Sequence, residues 1–326
     1  MTKTSGSWLR CLAAAVCLGG AALGAFAQAQ APMATAAKPA ASVTPMPAAS
    51  AVAAKPAAAA SGTAAAAPTG HGTALVKVPD GRLLAPDIAR IVTRGELVVA
   101  MLGVDTPPFF YEKNGELVGL EVDLAKAMAK ELGVKVRFNR SAKTFNSTVD
   151  LVARGEADMA VSKISRTLAR SQIISFTQPY LTLNHALILN RVAFAQFARE
   201  RPVTDVIRRY NGTIGVIAKS SFQDYAGRYF PKAKVKEYPG WPDVLKALEK
   251  GEVMAAYRDE FEIKRILKTD PTSSLTLRTV TLKDLEDTLG IAIGINDRTL
   301  LAFANEYLTQ RTDKLNINKV LAALEN

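Results

Sequence analysis

The sequence predicts an α/β fold built from two units of similar plan. A basic residue, Gly and Glu occur in that order three times, beginning at Arg94, Arg154 and Lys250, each time before a short apolar run. A basic residue suits the negative end of a helix dipole, and Gly adopts the left-handed conformation that follows a last helical turn. An apolar run without alternation indicates a strand covered on both faces, as in a parallel sheet. Each copy therefore predicts the end of a helix followed by a buried strand.

The segments between these strands have the spacing of amphipathic helices. Leu124, Met128 and Leu132 are four residues apart, with lysines on the other side, which predicts a helix that buries one face. A second predicted helix has Pro242 in its first turn and ends at Gly251, the asymmetry expected of helix ends.

The order of the elements predicts the two units. Strand, helix, strand, helix and strand follow one another over residues 97–161 and again over residues 214–257. One further apolar strand is predicted at residues 289–295. The helical segments that begin at Arg298 are too short for a third domain and are expected to pack on the first unit.

The N-terminal 27 residues have the pattern of a secretory signal. Lys3 and Arg10 precede an apolar run that ends in Ala25-Phe26-Ala27, a small-x-small cleavage pattern. The run is shorter than the roughly 20 residues that a membrane-spanning helix needs. Because the cysteines Cys11 and Cys17 both lie in this signal, the mature chain has none, which excludes disulfides, thiol nucleophiles and Cys-ligated metals.

Residues 28–77 are predicted to form a disordered spacer. They consist mainly of Ala, Pro, Thr and Ser, and the first 77 residues contain no acidic side chain.

The charge of the remaining chain is mildly basic. The 326 residues carry 41 Lys and Arg against 30 Asp and Glu, a formal charge of +11, and five of those basic residues lie in the first 77. The remaining 36 basic and 30 acidic residues do not suggest a nucleic-acid-binding protein, and a solvated basic surface is the preferred interpretation. One group of arginines leaves open a surface that faces acidic lipid or a membrane partner. These are Arg191, Arg199, Arg201, Arg208 and Arg209.

Polar side chains follow the predicted strands, where ligands bind in open α/β sheets. Arg170 offers a guanidinium for bidentate pairing with a carboxylate, and Asp259 offers an acceptor for an ammonium. Together they would hold a zwitterion between the two units. Ser220 and Ser221 precede a predicted helix whose first amides could hold an anion, or else Ser221 only caps that helix.

Several ordered motifs resemble those of family 3 solute-binding proteins, the polar amino-acid type of periplasmic receptor. The resemblance covers roughly residues 90–310. It rests on Pro108-Phe109, on Gly115-Glu116-Leu117-Val118-Gly119-Leu120-Glu121, on Ser165-x-Thr167-x-x-Arg170 and on Phe176-Thr177-Gln178-Pro179-Tyr180.

The resemblance implies a type II periplasmic-binding-protein fold, with two open mixed sheets, flanking helices and a two-strand hinge. Lobe 1 would comprise residues 78–182 and 289–326, and lobe 2 residues 183–288. The implied function is a periplasmic, monomeric receptor that closes on a small amino-acid-like solute and delivers it to the membrane permease of an ABC importer. No cofactor and no metal are expected.

The family's ligand-binding positions are transferred residue by residue. Arg170 would bind the ligand's α-carboxylate, and Asp259 would receive its α-amino group. Phe109 and Phe145 would form an aromatic slot, although packing in the core is an equally good interpretation for each. The remaining candidates are polar groups of the neighbouring loops: Ser162, Ser165, Thr167 and Ser221.

Two positions depart from the family pattern. Lys163 stands where relatives usually carry a small residue, and Thr106 stands near where many carry an aromatic one. A lysine beside Arg170 would repel an ammonium, so an acidic amino acid or a dicarboxylate is expected if Lys163 points inward. A lysine that reaches to solvent is the alternative.

Ligand binding is expected to shift a two-state equilibrium of lobes that pivot near residues 182–184 and 287–289. His185, the only histidine after the spacer, is expected to have a structural role rather than to act as a switch. With one histidine and no cysteine, neither a His-based metal cluster nor a Ser-His triad can be assembled.

Two other classes of function stay open. One is an enzyme similar to cyclohexadienyl dehydratase on the same fold, for which Lys163, Asp259 and Glu260 could supply charge. The other is a ligand-sensing domain presented on the spacer.

Overall fold

The computed structural model describes residues 74–324. The predicted signal and most of the predicted spacer lie outside the described residues. The described chain begins with a small antiparallel pair, β1 (Val76–Lys77) and β2 (Leu83–Leu84), so that regular structure starts just before the expected end of the spacer.

The first lobe is formed by α/β elements that alternate along the chain and by a β-hairpin. Its elements up to the first crossing between lobes are α1 (Pro86–Arg94), β3 (Glu96–Leu102), β4 (Tyr111–Lys113), β5 (Glu116–Val118), α2 (Leu120–Leu132), β6 (Lys135–Ala142), α3 (Phe145–Ala153), β7 (Met159–Ala160) and β8 (Ile174–Phe176). A 3₁₀ turn, Arg170–Gln172, precedes β8.

The second lobe has the same alternation. Its elements are β9 (Leu181–Asn190), α4 (Arg191–Ala198), α5 (Val203–Arg208), β10 (Thr213–Ile217), α6 (Ser221–Tyr229), β11 (Lys234–Tyr238), α7 (Trp241–Glu249), β12 (Ala255–Asp259), α8 (Glu260–Thr269) and β13 (Leu277–Leu289). The chain then returns to the first lobe with β14 (Ala292–Gly294), α9 (Arg298–Gln310) and α10 (Ile317–Ala322).

Each lobe contains one mixed five-stranded sheet. The first has the order β6-β3-β7-β14-β8, in which β3 runs parallel to both neighbours and β14 runs antiparallel to β7 and β8. The second has the order β11-β10-β12-β9-β13, in which β10 runs parallel to both neighbours and β9 runs antiparallel to β12 and β13. The two-lobed α/β fold with mixed sheets is therefore confirmed.

Two paired strands connect the lobes. β9 and β13 are antiparallel along most of their length, and their register shifts between Leu282 and Glu286. Beyond that shift Leu183 pairs with Asp287 and Thr182 with Thr288, within the two segments that are predicted to act as pivots.

The repeated pattern of a basic residue, Gly and Glu ends helices as predicted. Gly95, Gly155 and Gly251 have φ values of 77°, 73° and 72°, the left-handed region in which a side chain is strained. The buried strands β3, β7 and β12 follow them.

The single strand predicted at residues 289–295 is wrong, because the chain forms two strands there. β13 ends at Leu289 and β14 begins at Ala292. Between them, the backbone N–H of Gly290 donates to the Ile164 carbonyl (3.1 Å), and that of Ile291 donates to the Thr177 hydroxyl (3.0 Å). These amides bond to loops of the first lobe instead of a neighbouring strand. Among the helices between residues 74 and 324, none has the length and apolar composition needed to cross a membrane.

Candidate functional site

The candidate site lies where loops of the two lobes meet. Asp259 ends β12 and caps α8, where its Oδ1 accepts a hydrogen bond from the backbone N–H of Glu262 (3.2 Å). This position places a carboxylate at the positive end of the helix dipole. From the first lobe, the loop after β7 carries Lys163 towards this carboxylate and leads to the 3₁₀ turn that begins at Arg170.

The backbone of Lys163 is anchored so that its side chain points into the protein. It has a φ of 50°, and its N–H donates to both carboxylate oxygens of Glu121, at 2.9 and 3.0 Å. Its side chain is buried, with Nζ 5.1 Å from the ring centre of Phe109 and 5.0 Å from that of Phe261. Lys163 therefore points inward, and the alternative of a solvent-reaching lysine does not describe this conformation.

The Lys163 ammonium bridges two buried carboxylates of the second lobe. Nζ lies 2.9 Å from Asp259 Oδ2 and 2.9 Å from Glu262 Oε1. Burial disfavours the charge of Glu262, but Lys163, Arg258 and Arg265 outweigh it and lower the pKa of that carboxyl. The resemblance assigns Asp259 to the α-amino group of a ligand. In this structure Asp259 instead binds the ammonium of Lys163.

Arg170 is buried among neutral acceptors. Its Nε and Nη2 donate to the side-chain oxygen of Asn146 at 3.2 and 2.9 Å, and its Nη1 donates to the Ser165 carbonyl at 2.8 Å. Among the residues that the structure describes, no carboxylate oxygen lies within ion-pair distance of this guanidinium. Burial lowers the pKa of Arg170, and the charge of Asp287 opposes that effect. Two of its five N–H groups remain for an anion.

A chain of hydroxyl groups links the two lobes beside Arg170. Ser221 in α6 donates to Ser165 Oγ at 2.8 Å, and Ser165 donates to Asp287 Oδ2 at 3.0 Å. Burial and the nearby charge of Asp259 raise the pKa of Asp287 to about 6, against the hydrogen bond from Ser165 and the charges of Lys163 and Arg170. This carboxyl lies on β13, at the connection between lobes.

Arg258 stacks on Phe145, one of the two rings expected to form the aromatic slot, and on Trp241. Its guanidinium carbon lies 5.5 Å from the ring centre of Phe145 and 5.6 Å from that of Trp241, and its side chain is buried. Cations over aromatic faces are stabilised by the ring quadrupole, most strongly where water is excluded. Phe145 therefore stacks on a cation of the chain.

Two cavities surround these groups. The inner one has a volume of about 10 Å³, room for roughly one water molecule. The outer one has about 300 Å³ and lies between residues of both lobes, with Phe145 and Arg258 in the walls of both cavities. The walls of the inner cavity are Phe145, Lys163, Ser165, Arg170, Ser220, Ser221, Phe222, Arg258, Asp259 and Asp287.

The structure brings six of the ten predicted site residues to the inner cavity: Phe145, Lys163, Ser165, Arg170, Ser221 and Asp259.

The other four predicted residues lie elsewhere. Thr106 lines only the outer cavity, and Thr167 lines a separate groove while its hydroxyl accepts from the backbone N–H of Arg170 at 3.2 Å. The Ser162 hydroxyl accepts from the backbone N–H of Leu102 at 2.8 Å, which is a structural role. Phe109 packs edge-on against Phe261 beneath Lys163. Glu260 bonds to Asn184 and Lys264, outside the walls of either cavity.

Sequence reasoning missed Glu262, Asn146 and Asp287 as parts of the site. Glu262 follows Asp259 by three residues on a capped helix, so its proximity could have been inferred from helix spacing. Asn146 and Asp287 reach Arg170 and Ser165 from distant parts of the chain, and no local pattern marks them.

His185 is enclosed by aromatic rings. Its Nδ1 is hydrogen-bonded to the Tyr257 hydroxyl, and its ring centre lies 4.7 Å from that of Tyr225. Burial lowers its pKa to about 4, against the charge of Asp259. The imidazole is therefore neutral at pH 7, which agrees with a structural role.

Solved structures share this fold. The structure is similar to that of the ancestral amino-acid-binding protein AncCDT-1, a precursor of cyclohexadienyl dehydratase, with a TM-score of 0.57, 25% identity and coverage of 72% of this chain and 97% of that chain. It is also similar to the L-arginine-bound substrate-binding protein AbpA of Streptococcus pneumoniae, with a TM-score of 0.58, 23% identity and coverage of 72% and 97%. The second likeness concerns the fold alone.

The proteins with similar sequences include binding proteins, as do the similar structures. The arginine-binding protein 1 of an ABC transporter from Escherichia coli (strain K12) is 27% identical over 204 residues, which cover 62% of this chain and 79% of that protein. Residues 97–322 match the bacterial extracellular solute-binding proteins, family 3. Since that match spans both lobes and the crossing strands between them, the chain belongs to the family 3 extracellular solute-binding proteins.

Proposed function

We propose that this protein is a periplasmic receptor that closes its two lobes on a small, amino-acid-like carboxylate, with an acidic solute favoured. The observation that carries the proposal is Arg170, a buried guanidinium in the wall of a cavity between lobes, bonded only to neutral acceptors. A buried cation whose hydrogen bonds go only to neutral groups is costly, and a ligand carboxylate would relieve that cost.

Closure would couple binding to a change in lobe position. Arg170 and Ser165 belong to the first lobe, while Ser221 and the outer-cavity residue Trp241 belong to the second. A solute that contacts both sets stabilises the closed form, so its binding shifts the population towards closure. The closed receptor would deliver the solute to the permease of an ABC importer, as a monomer and without a cofactor. The predicted signal and the names of relatives such as the arginine-binding protein support export and delivery.

Thermal unfolding tests the ligand class. The purified protein, refolded to remove carried-over solute, is measured against the twenty amino acids and a series of dicarboxylates. A true ligand at 1,000 times its dissociation constant adds about 4 kcal/mol, which raises the melting temperature by roughly 8 to 16 °C. If no carboxylate changes the melting temperature, the proposed function is wrong.

Arg170→Ala tests the assigned role of the guanidinium. We expect the dissociation constant of the stabilising solute to rise by about 30-fold or more, because a buried carboxylate loses its partner. Arg208→Ala is the matched control, since Arg208 is an exposed arginine of α5 outside both cavities. Equal affinities in the two variants would contradict the role of Arg170.

A second candidate function is a dehydratase that removes a hydroxyl from a prephenate-like carboxylate. Asp287 favours it, because a buried carboxyl with a pKa raised to about 6 lines the inner cavity and suits general acid catalysis. The structurally similar AncCDT-1 is an amino-acid-binding protein and a precursor of cyclohexadienyl dehydratase, so that likeness is compatible with either function. Consumption of prephenate that is lost in Asp287→Asn would support the enzyme, whereas stable binding without turnover would support the receptor.

A further inference from the structure

We infer that the solute held by Arg170 is a carboxylate without an α-ammonium group, because Lys163 supplies from within the chain the ammonium that would otherwise occupy Asp259. The inference rests on the proposed function and specifies its substrate class. It predicts that this receptor selects against α-amino acids and in favour of their desamino counterparts.

The hydrogen-bonding capacity of Asp259 is used up. Oδ1 accepts from Lys163 Nζ at 3.2 Å and from the Glu262 backbone N–H at 3.2 Å. Oδ2 accepts from Lys163 Nζ at 2.9 Å and from Arg258 Nε at 3.4 Å. Since a carboxylate offers about four acceptor positions, none remains for the ammonium of a ligand.

The second carboxylate of this group is also occupied. Glu262 Oε1 accepts from Lys163 at 2.9 Å, and Oε2 accepts from Nε and Nη2 of Arg265 at 3.1 and 2.8 Å. Arg258 lies 3.9 Å from Oε1. An incoming ammonium would therefore have to displace a cation that is already paired.

Displacement of Lys163 is opposed by its surroundings. Its side chain is 2% exposed, its backbone N–H is fixed on Glu121, and two aromatic rings enclose Nζ. Moving the ammonium to another buried position would leave it without a partner, and would remove one cation from each of two buried carboxylates, which is unfavourable. The lysine is therefore a fixed part of the site.

Asp287 does not provide an alternative ammonium site. It is the other carboxylate in the wall of the inner cavity, and it accepts hydrogen bonds from Ser165 and Tyr225 at 3.0 and 3.4 Å. Lys163 and Arg170 both lie close enough to interact with its charge. These two cations would repel a third one placed beside Asp287.

The outer cavity shares the walls Phe145 and Arg258 with the inner one and would hold the part of the solute that extends away from Arg170. Its walls combine apolar surfaces such as Pro239 and Trp241 with three cations and two carboxylates: Lys143, Arg258, Arg265, Asp105 and Glu262. Both carboxylates are already paired, Asp105 with Arg140 at 2.6 Å and Glu262 with Arg265 at 2.8 Å. An apolar substituent or a second carboxylate fits such walls, so the class includes monocarboxylates and dicarboxylates.

Calorimetric titration of the wild-type protein with matched pairs tests the inference. The pairs are succinate and L-aspartate, glutarate and L-glutamate, 3-phenylpropanoate and L-phenylalanine, and 5-guanidinopentanoate and L-arginine. We expect at least one desamino carboxylate to bind, with a dissociation constant at least tenfold lower than that of its amino acid, about 1.4 kcal/mol. This inference alone would be overturned if an amino acid bound as tightly as its desamino partner and its binding were abolished in Arg170→Ala. Binding of neither series would overturn the proposed function as well.

Lys163→Ser gives a second and independent measurement. Removing the ammonium frees the acceptors of Asp259, so the ratio of the two dissociation constants should move towards the amino acid by tenfold or more. Lys219→Ser is the matched control, because Lys219 is also a lysine at positive φ (55°) but is exposed. An unchanged ratio in folded Lys163→Ser would contradict the inference, and if that variant does not fold, the wild-type pairs decide.

Discussion

Lys163 takes its position from a residue far away in the sequence. Its backbone N–H is bound by Glu121, 42 residues earlier, and its ammonium by Asp259, 96 residues later. Glu121 is fully buried and also accepts a hydrogen bond from the Tyr180 hydroxyl. The buried carboxyl of Glu121 thus fixes the backbone of Lys163, whose ammonium is the central cation of the site.

Burial raises the pKa of Glu121 from 4.5 to about 7, against the hydrogen bonds from Tyr180 and Lys163. The folded protein therefore holds this proton more tightly than the unfolded chain. The contribution of this group to the free energy of unfolding is fully present below pH 4.5 and is lost as the pH rises to about 7. The change amounts to on the order of 3 kcal/mol.

Glu121→Gln should remove this pH dependence, because an amide does not titrate in this range. The free energy of unfolding of the variant minus that of the wild type should increase by about 3 kcal/mol between pH 4.5 and 7. Chemical denaturation across that range measures the difference. Contributions of other groups, such as Asp287 and His185, are common to both proteins and cancel. A difference that does not vary with pH would show that Glu121 has an ordinary pKa in the folded state.

At the scale of single elements, the local patterns of the sequence predict the framework of the site. The repeated pattern locates β7 and β12, so the positions of Arg170 after the first of these strands and of Asp259 at the carboxyl end of the second could be predicted. Their partners could not, because the hydrogen bonds that Arg170 donates to Asn146 and that Lys163 donates to Asp259 depend on how separate elements approach one another. Periodicity carries information about the burial of a face, whereas these contacts depend on tertiary packing.

The start of α2 depends on one glycine. Gly119 has a φ of 128°, and a Cβ there would lie 2.7 Å from the Pro108 carbonyl oxygen and even closer to that of Phe109. Those carbonyls accept the first amides of α2, from Leu120 at 3.0 Å and from Glu121 at 2.9 Å. They cannot move aside without breaking the hydrogen bonds that anchor the helix.

Gly119→Ala should therefore lower the free energy of unfolding by about 2 kcal/mol or more, from backbone strain and a steric clash. Gly227→Ala is the matched control, since Gly227 lies inside α6 and a Cβ there meets nothing within 4 Å. That variant should be more stable than the wild type by about 0.5 to 1 kcal/mol, because alanine favours the helix. Urea denaturation of both variants provides the comparison. Equal changes in the free energy of unfolding of the two variants would mean that the contacts of Gly119 do not restrict this position to glycine.

At the scale of the whole molecule, contacts between the lobes define one closed arrangement. The ion pair of Lys163 with Asp259, the hydrogen bond of Ser221 with Ser165 and that from the Asn146 N–H to the Lys219 carbonyl (3.4 Å) each join residues of opposite lobes. Opening about β9 and β13 would separate all of these partners. When such a hinged protein opens, these groups lose their partners in the other lobe and contact water instead.

A disulfide between the lobes should trap this closed form. The hydroxyl oxygens of Ser165 and Ser221 are 2.8 Å apart, and the longer Cβ–S bonds of cysteines would bring two sulfurs towards the 2.05 Å of a disulfide. Because Cys11 and Cys17 are the two cysteines of the sequence, a protein that begins after residue 27 offers no competing thiol. Ser165→Cys/Ser221→Cys should form a cross-link on mild oxidation, detected by mass spectrometry.

The pair Ser165→Cys/Ser220→Cys separates true closure from mere proximity. The Ser220 hydroxyl donates to the Ile217 carbonyl of its own lobe at 2.6 Å, whereas that of Ser221 donates to Ser165, so a cysteine at position 220 should cross-link far more slowly. The cross-linked first pair should also be as compact in X-ray scattering as the reduced protein saturated with ligand, and more compact than the reduced, ligand-free protein. Equal cross-linking rates in both pairs would mean that the lobes are too mobile for one closed arrangement. Population shift by a ligand would then require a different closed geometry, in which Lys163 need not reach Asp259.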